Sequence, residues 1–171
     1  MYIQPMKETD SGSVSQRKSR KPATYSCSLV NPSHPERAET EAFIAQRFAS
    51  ARGAVITSFM PVMITLRDQQ NRLRSVVGLR SAENDQLFLE HYLDGPIEKI
   101  IAREASNGAL IPSRNEIVEV GNLASTDRRA TRQLFRLLAA FMIQQRFRWI
   151  VFTGCASLRH TFQKMQLRLL T

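Results

Sequence analysis

Asp127-Arg128-Arg129, followed by Arg132 and Arg136 at four-residue intervals, is the cluster whose residue types and spacing point most directly to chemistry. By its periodicity a helix begins here, and a helix N-terminus presents free N–H groups and about half a positive charge. Acids are favoured at such an end, so Asp127 fits as the cap and the arginines do not. A local preference broken without structural gain marks a position for function. The chemistry that would use it is anion binding, with a phosphate or carboxylate held between backbone N–H groups and guanidinium forks. The alternative is a solvated basic helix face, since exposed arginines are common.

The elements that must position this cluster follow from periodicity. Ile117-Val118-Glu119-Val120-Gly121-Asn122-Leu123-Ala124 is short, β-branched and closed by polar turn residues, which predicts a strand. From Ala130 onward Leu134, Leu137, Leu138, Phe141 and Met142 fall on one helical face. Trp149-Ile150-Val151-Phe152 predicts a buried strand parallel to the first, and the three together a right-handed βαβ unit. Upstream, residues 25–30 predict a first strand. A turn at 31–35 holds His34 as a local hydrogen-bonding residue and leads into a helix over 36–52, stopped by Gly53. Strands at 62–67 and 73–79 flank Asp68-Gln69-Gln70-Asn71-Arg72 as a hairpin, and Gly78 marks a bulge or a close backbone approach. The alternation in 87–93 predicts an extended segment with Phe88, Glu90 and Tyr92 on one side, lining a pocket or a wet sheet face. Helices follow at 96–108 and, past the βαβ unit, at 156–167. The order predicts an α/β fold: an α+β mixed sheet with helices on both faces, built round the central βαβ unit.

Composition bounds what such a domain does. Residues 23–171 suffice for one globular domain, and residues 1–22 are polar, basic and aperiodic, which predicts a disordered tail. No run of 18 apolar residues and no secretory leader are present, and Cys27 and Cys155 have no metal-binding or paired spacing. The expectation is a cytoplasmic protein without a metal. The net charge is +9, and residues 127–168 hold nine Arg or Lys against one acid, a local charge of +8. That suits a CoA-like nucleotide, an acyl-carrier protein or an anionic membrane surface. Nucleic acid is not expected, because no motif that reads it is present.

Glu119-Val120-Gly121-Asn122-Leu123-Ala124 followed by a helix resembles the thermostable haemolysins. So do His34-Pro35-Glu36-Arg37-Ala38-Glu39, Phe59-Met60-Pro61-Val62, Gly78-Leu79-Arg80, Leu87-Phe88-Leu89-Glu90 with Tyr92-Leu93, and Trp149-Ile150-Val151-Phe152-Thr153. The resemblance covers residues 34 to 167 in order. That family is similar in turn to the GNAT-type acyltransferase fold, and within it to the acyl-homoserine-lactone and N-acyl amino acid synthases.

The resemblance implies transfer of an acyl group from acyl-CoA or acyl-carrier protein to a small-molecule amine of amino-acid-like character. The acyl group would arrive on CoA or on a phosphopantetheine arm, held by Leu123, Ala124, Ser125, Arg128, Arg129, Ala130, Thr131 and Arg132. Glu119 would be the base that deprotonates the amine, with Glu90 second, and Tyr92, Asn122 and Arg80 would face the acceptor. The synthase pattern of Glu, any residue, Ser-Arg-Phe reads here Glu119-Val120-Gly121-Asn122-Leu123. Arg128-Arg129-Ala130-Thr131 stands in place of the usual phosphate signature. Ser157 or His160 would replace the tyrosine that protonates the leaving thiolate. The family's fold would continue with closing strands on one side of the substrate site, and their lack here implies either a shortened product or an edge supplied by a second subunit, as in a homodimer, or by another polypeptide. The family name carries the other reading, a membrane-perturbing haemolysin, and a non-catalytic acyl-carrier-binding module is a third.

Overall fold

The computed structural model describes residues 24–106 and 111–153. Along them run β1 (Ser26–Val30), α1 (Arg37–Arg52), β2 (Val62–Arg67), β3 (Leu73–Ser81), a 3₁₀ turn (Phe88–Tyr92) and α2 (Ile97–Ser106). A second 3₁₀ turn (Arg114–Glu116), β4 (Ile117–Ser125), α3 (Arg128–Gln144) and β5 (Trp149–Val151) follow. The strands form one sheet in the order β1-β2-β3-β4-β5. The first three pairings are antiparallel and β4–β5 is parallel, so the expected βαβ unit is present. The basic tail, Cys155, Ser157, His160 and the helix expected over 156–167 lie outside the described residues.

Side-chain alternation explains how the layers stack. Ile64, Leu66, Val77, Leu79, Val118 and Val120 point to one face, where α3 seats Ala130, Leu134, Phe135, Leu138 and Met142. Leu134 is fully buried there, worth about 1.5–3 kcal/mol by area. Met63, Val76 and Val30 point to the other face, under Ile44 of α1. On that same face Ile97 and Ile101 of α2 close over Leu87 and Ile117. The β2–β3 hairpin turns where Asp68 Oδ1 accepts the N–H groups of Gln70 and Arg72 and Asn71 takes φ 59°.

One expectation is corrected. Residues 87–93 are not extended: Phe88–Tyr92 is a 3₁₀ turn, with Leu87 buried and Phe88, His91 and Tyr92 exposed. Its N–H groups meet carboxylates instead of a neighbouring strand. Glu90 folds back to accept the Leu87 N–H at 2.8 Å, and Glu119 accepts those of Phe88 and Leu89 at 2.8 Å each. Glu90 and Tyr92 therefore share no sheet face; the first turns inward and the second outward.

A bulge in β4 sets the geometry downstream. Val76 opposes Ala124 while Gly78 opposes Gly121, so β4 carries one residue more than β3 between these pairs. The extra residue reverses the alternation: Val118 and Val120 face α3, whereas Ala124, of the same parity, faces α1. Asn122 absorbs the distortion at φ 49°, a left-handed conformation that Asn tolerates better than most residues.

Candidate functional site

The bulge is braced from outside the sheet. Asn122 Oδ1 accepts the Met60 N–H at 2.7 Å, and its Nδ2 donates to the Ser58 carbonyl at 3.4 Å. Arg37 donates from the same side to the Met60 and Pro61 carbonyls, at 3.0 and 3.1 Å. Met60 is thereby pressed onto the facing pair Gly78 and Gly121. A Cβ at Gly78 would stand 2.6 Å from Met60 Cβ, and one at Gly121 would stand 2.5 Å from Met60 Cε. The close approach expected at Gly78 is this methionine. Asn122, expected to face the acceptor, has both ends of its amide engaged by the 58–61 segment.

Next along the same face, Glu119 is fully buried, and its two oxygens each accept one backbone N–H, from Leu89 and Phe88. Arg80 is its cross-strand partner in the β3–β4 register, half-buried and without an ion pair among the described residues. Glu90 is held by four donors. Leu87 N and Ile97 N reach it at 2.8 and 2.9 Å, and Arg114 Nη1 and Nη2 at 2.8 and 3.2 Å. The Arg114 guanidinium, opposed by burial and helped by the two backbone donors, holds the Glu90 carboxyl down at about 2. Tyr92 is exposed and packs its ring edge-on against Phe88, with centroids 5.4 Å apart. Arg114, absent from the sequence reading, has no local signal; its partners Glu90 and Glu98 lie 24 and 16 residues away.

At the other end of β4 the chain turns into α3. Asp127 Oδ1 accepts the N–H groups of Arg129 and Ala130 at 2.9 Å each, and its Oδ2 accepts from Arg74 Nη2 at 2.7 Å. The backbone N–H of Ala130, and after it Arg74, outweigh burial and hold this carboxyl at about 2. Asp127 is thus the expected cap, and its own carboxylate occupies two N–H groups that an external anion would use. Ser125 Oγ and Thr131 Oγ1 donate to the Asp127 carbonyl at 3.0 and 2.9 Å. Ala124 and Ala130 are buried, Leu123 is half-buried against the α3 core, and Arg128, Arg129 and Arg132 are exposed. The donor-side residues named from the sequence come together at this turn; Glu119 lies six residues back along β4, on the α1 face of the sheet.

The strand between them is open on one side among the described residues. Among the described residues β5 pairs with only the first three residues of β4, ending at Glu119 opposite Val151, while β4 runs on to Ser125. Main-chain groups of 120–125 that point toward β5 therefore meet no strand among the described residues. An open cleft of about 580 Å³ lies elsewhere, lined by Glu83, Asp85, Glu90, Glu98 and Arg114. Among the described residues no group of His, Cys, Asp and Glu is arranged to hold a metal, and no helix is long and apolar enough to cross a membrane.

This architecture is shared with a solved structure. The crystal structure of the AHL synthase LasI matches with a TM-score of 0.58 at 10% identity, over 86% of this chain and 80% of that one. Glucosamine-6-phosphate N-acetyltransferase from Arabidopsis thaliana matches with a TM-score of 0.48 at 8% identity, over 86% and 94%. A search of curated protein sequences finds no match. The fold is the expected GNAT-like one. The sequence profile described as thermostable hemolysin matches residues 30–171, and with that span the chain belongs to the thermostable haemolysin family.

Proposed function

We propose that the protein transfers an acyl group from a thioester, acyl-CoA or the phosphopantetheine arm of an acyl-carrier protein, to the amine of a small amino-acid-like acceptor. The observation that carries this is the edge of β4 that is open among the described residues, where β4 outruns β5 beyond Glu119 and ends at the start of α3. An amide-bearing donor arm can lie along such an edge through main-chain hydrogen bonds. An N–H from the open side of 123–125 then polarises the thioester carbonyl, and Arg128, Arg129 and Arg132 meet the donor phosphate.

Glu119 is the candidate base. Each of its oxygens accepts one N–H, which leaves lone pairs for the amine proton. Arg80, beside it and without an ion pair among the described residues, is suited to an acceptor carboxylate, with Tyr92 exposed on the adjoining turn. Glu90, held at about 2, is too weak a base for an amine and acts by positioning the 88–92 turn. The family description favours a second reading, direct lysis of membranes. Mass spectrometry of cells expressing the full chain separates the two. N-acylated amines absent from control cells are the expected result, and their absence contradicts acyl transfer.

A further inference from the structure

α3 carries four arginines and no acid in its 17 residues. Arg128, Arg132 and Arg136 are exposed on the face opposite the buried Leu134 and Leu138, and none makes an ion pair among the described residues. Most arginines outside α3 find acids, as Arg37 does Glu41 and Arg74 does Asp127, with Arg80 an exception. The row runs on past exposed Ala139 and Ala140 to Ile143, which is 70% exposed. At 1.5 Å per residue the three arginines span about 12 Å, and the face down to Ile143 about 22 Å. Like charges four residues apart destabilise a helix, so the row does nothing for the fold.

The dimensions select a partner. A phosphate group covers one turn of such a face. A bilayer would take the apolar side of the helix, and that side is under the sheet. A protein helix with carboxylates at matching spacing and an apolar residue at one end fits the whole row. The head of the row narrows the choice of donor. Asp127 occupies the N–H groups of Arg129 and Ala130 and is paired with Arg74. A diphosphate placed there meets a fixed negative charge, whereas a single phosphodiester asks less of the same turn. We infer that the acyl donor is an acidic acyl-carrier protein rather than free CoA, docked along Arg132, Arg136 and Ile143 with its phosphopantetheine arm reaching the open edge of β4. The inference rests on the acyl-transfer reading.

The test is binding of fluorescently labelled holo-acyl-carrier protein to the full chain, compared with an Arg136→Glu/Ile143→Glu variant altered two or more turns from the start of α3. Expected are salt-sensitive binding to the parent chain and a Kd at least about tenfold weaker in the variant. No binding by the parent, or an unchanged Kd in the variant, overturns the docking surface. So does tighter binding to phosphatidylglycerol vesicles that the same variant abolishes. Transfer to a mixture of amino acids is then measured from octanoyl-carrier protein, octanoyl-CoA and octanoyl-pantetheine. The variant should raise KM for the carrier about tenfold and leave turnover of octanoyl-pantetheine unchanged. More efficient transfer from octanoyl-CoA overturns the choice of donor. Carrier binding as expected with no transfer from any donor leaves the docking surface standing and removes the acyl-transfer reading instead.

Discussion

Replacing Glu119 by Gln exchanges an acceptor for a donor where two donors already face the side chain. Phe88 N and Leu89 N each sit 2.8 Å from one carboxylate oxygen, and the site is fully buried. The Gln carbonyl keeps one of these bonds, while its NH₂ group is turned against the other N–H. Loss of one hydrogen bond to a charged group, together with a buried donor left unsatisfied, costs about 3–5 kcal/mol. For a domain of this size that corresponds to a fall in Tm of about 6–20 °C. Thermal unfolding by circular dichroism, with turnover per folded molecule measured on the same preparation, gives two independent readouts. If Glu119 is also the base, turnover falls about 10²–10⁴-fold at temperatures where the variant is fully folded. An unchanged Tm refutes the clamp on the 88–92 turn. A lowered Tm with unaltered turnover per folded molecule removes Glu119 from the chemistry.

The two facing glycines should differ in what they tolerate. Gly78→Ala sets its Cβ against Met60 Cβ, which cannot move alone, and should cost about 1–3 kcal/mol in urea unfolding; Gly121→Ala meets only the flexible Met60 Cε and should cost less, with Met60→Ala relieving it. Glu90 has its carboxyl at about 2 in the fold against 4.5 for an ordinary glutamate, so its stabilisation is complete above pH 4.5 and lost as pH falls toward 2. Arg114→Ala removes the main cause, and the midpoint of acid unfolding, followed by fluorescence, should move to higher pH. Asp127→Ala removes the α3 cap and should lower stability by about 1–2 kcal/mol in urea unfolding, with Asp127→Asn losing less. Arg128→Ala with Arg129→Ala should weaken donor binding by about 2–4 kcal/mol in calorimetry, and unchanged affinity for every donor would detach these residues from the site.

The βαβ unit was legible because its signals are local: β-branched residues in β4, a 3.6-residue apolar stripe in α3, and Asp127 at the junction as a cap that accepts from residues two and three positions on. The hairpin was legible for the same reason, since Asp68 bonds within its own turn. The 88–92 turn was not. Leu87, Leu89 and Leu93 alternate as a strand would, and what folds them otherwise includes a carboxylate 30 residues away on β4. The role of Glu119 as an anchor was hidden by the same distance. Asn122 gave no sign of its left-handed conformation, because the bulge is fixed by contacts with the 58–61 segment, about 60 residues upstream. The basic row of α3 and its Asp127 cap were visible from spacing alone, but the pairing of Asp127 with Arg74, 53 residues upstream, has no local signal.

Transfer from a defined donor decides between acyl transfer and membrane lysis. Purified full-length protein is incubated with octanoyl-carrier protein or octanoyl-CoA and a mixture of amino acids, and both released thiol and N-octanoyl products are measured. N-octanoyl amino acids formed in equal amount to released thiol, at a rate lowered by charge removal at Arg128 and Arg129, are the expected result. Lysis of donor-free phosphatidylglycerol liposomes by the same preparation, with no acylated product from either donor, would contradict it.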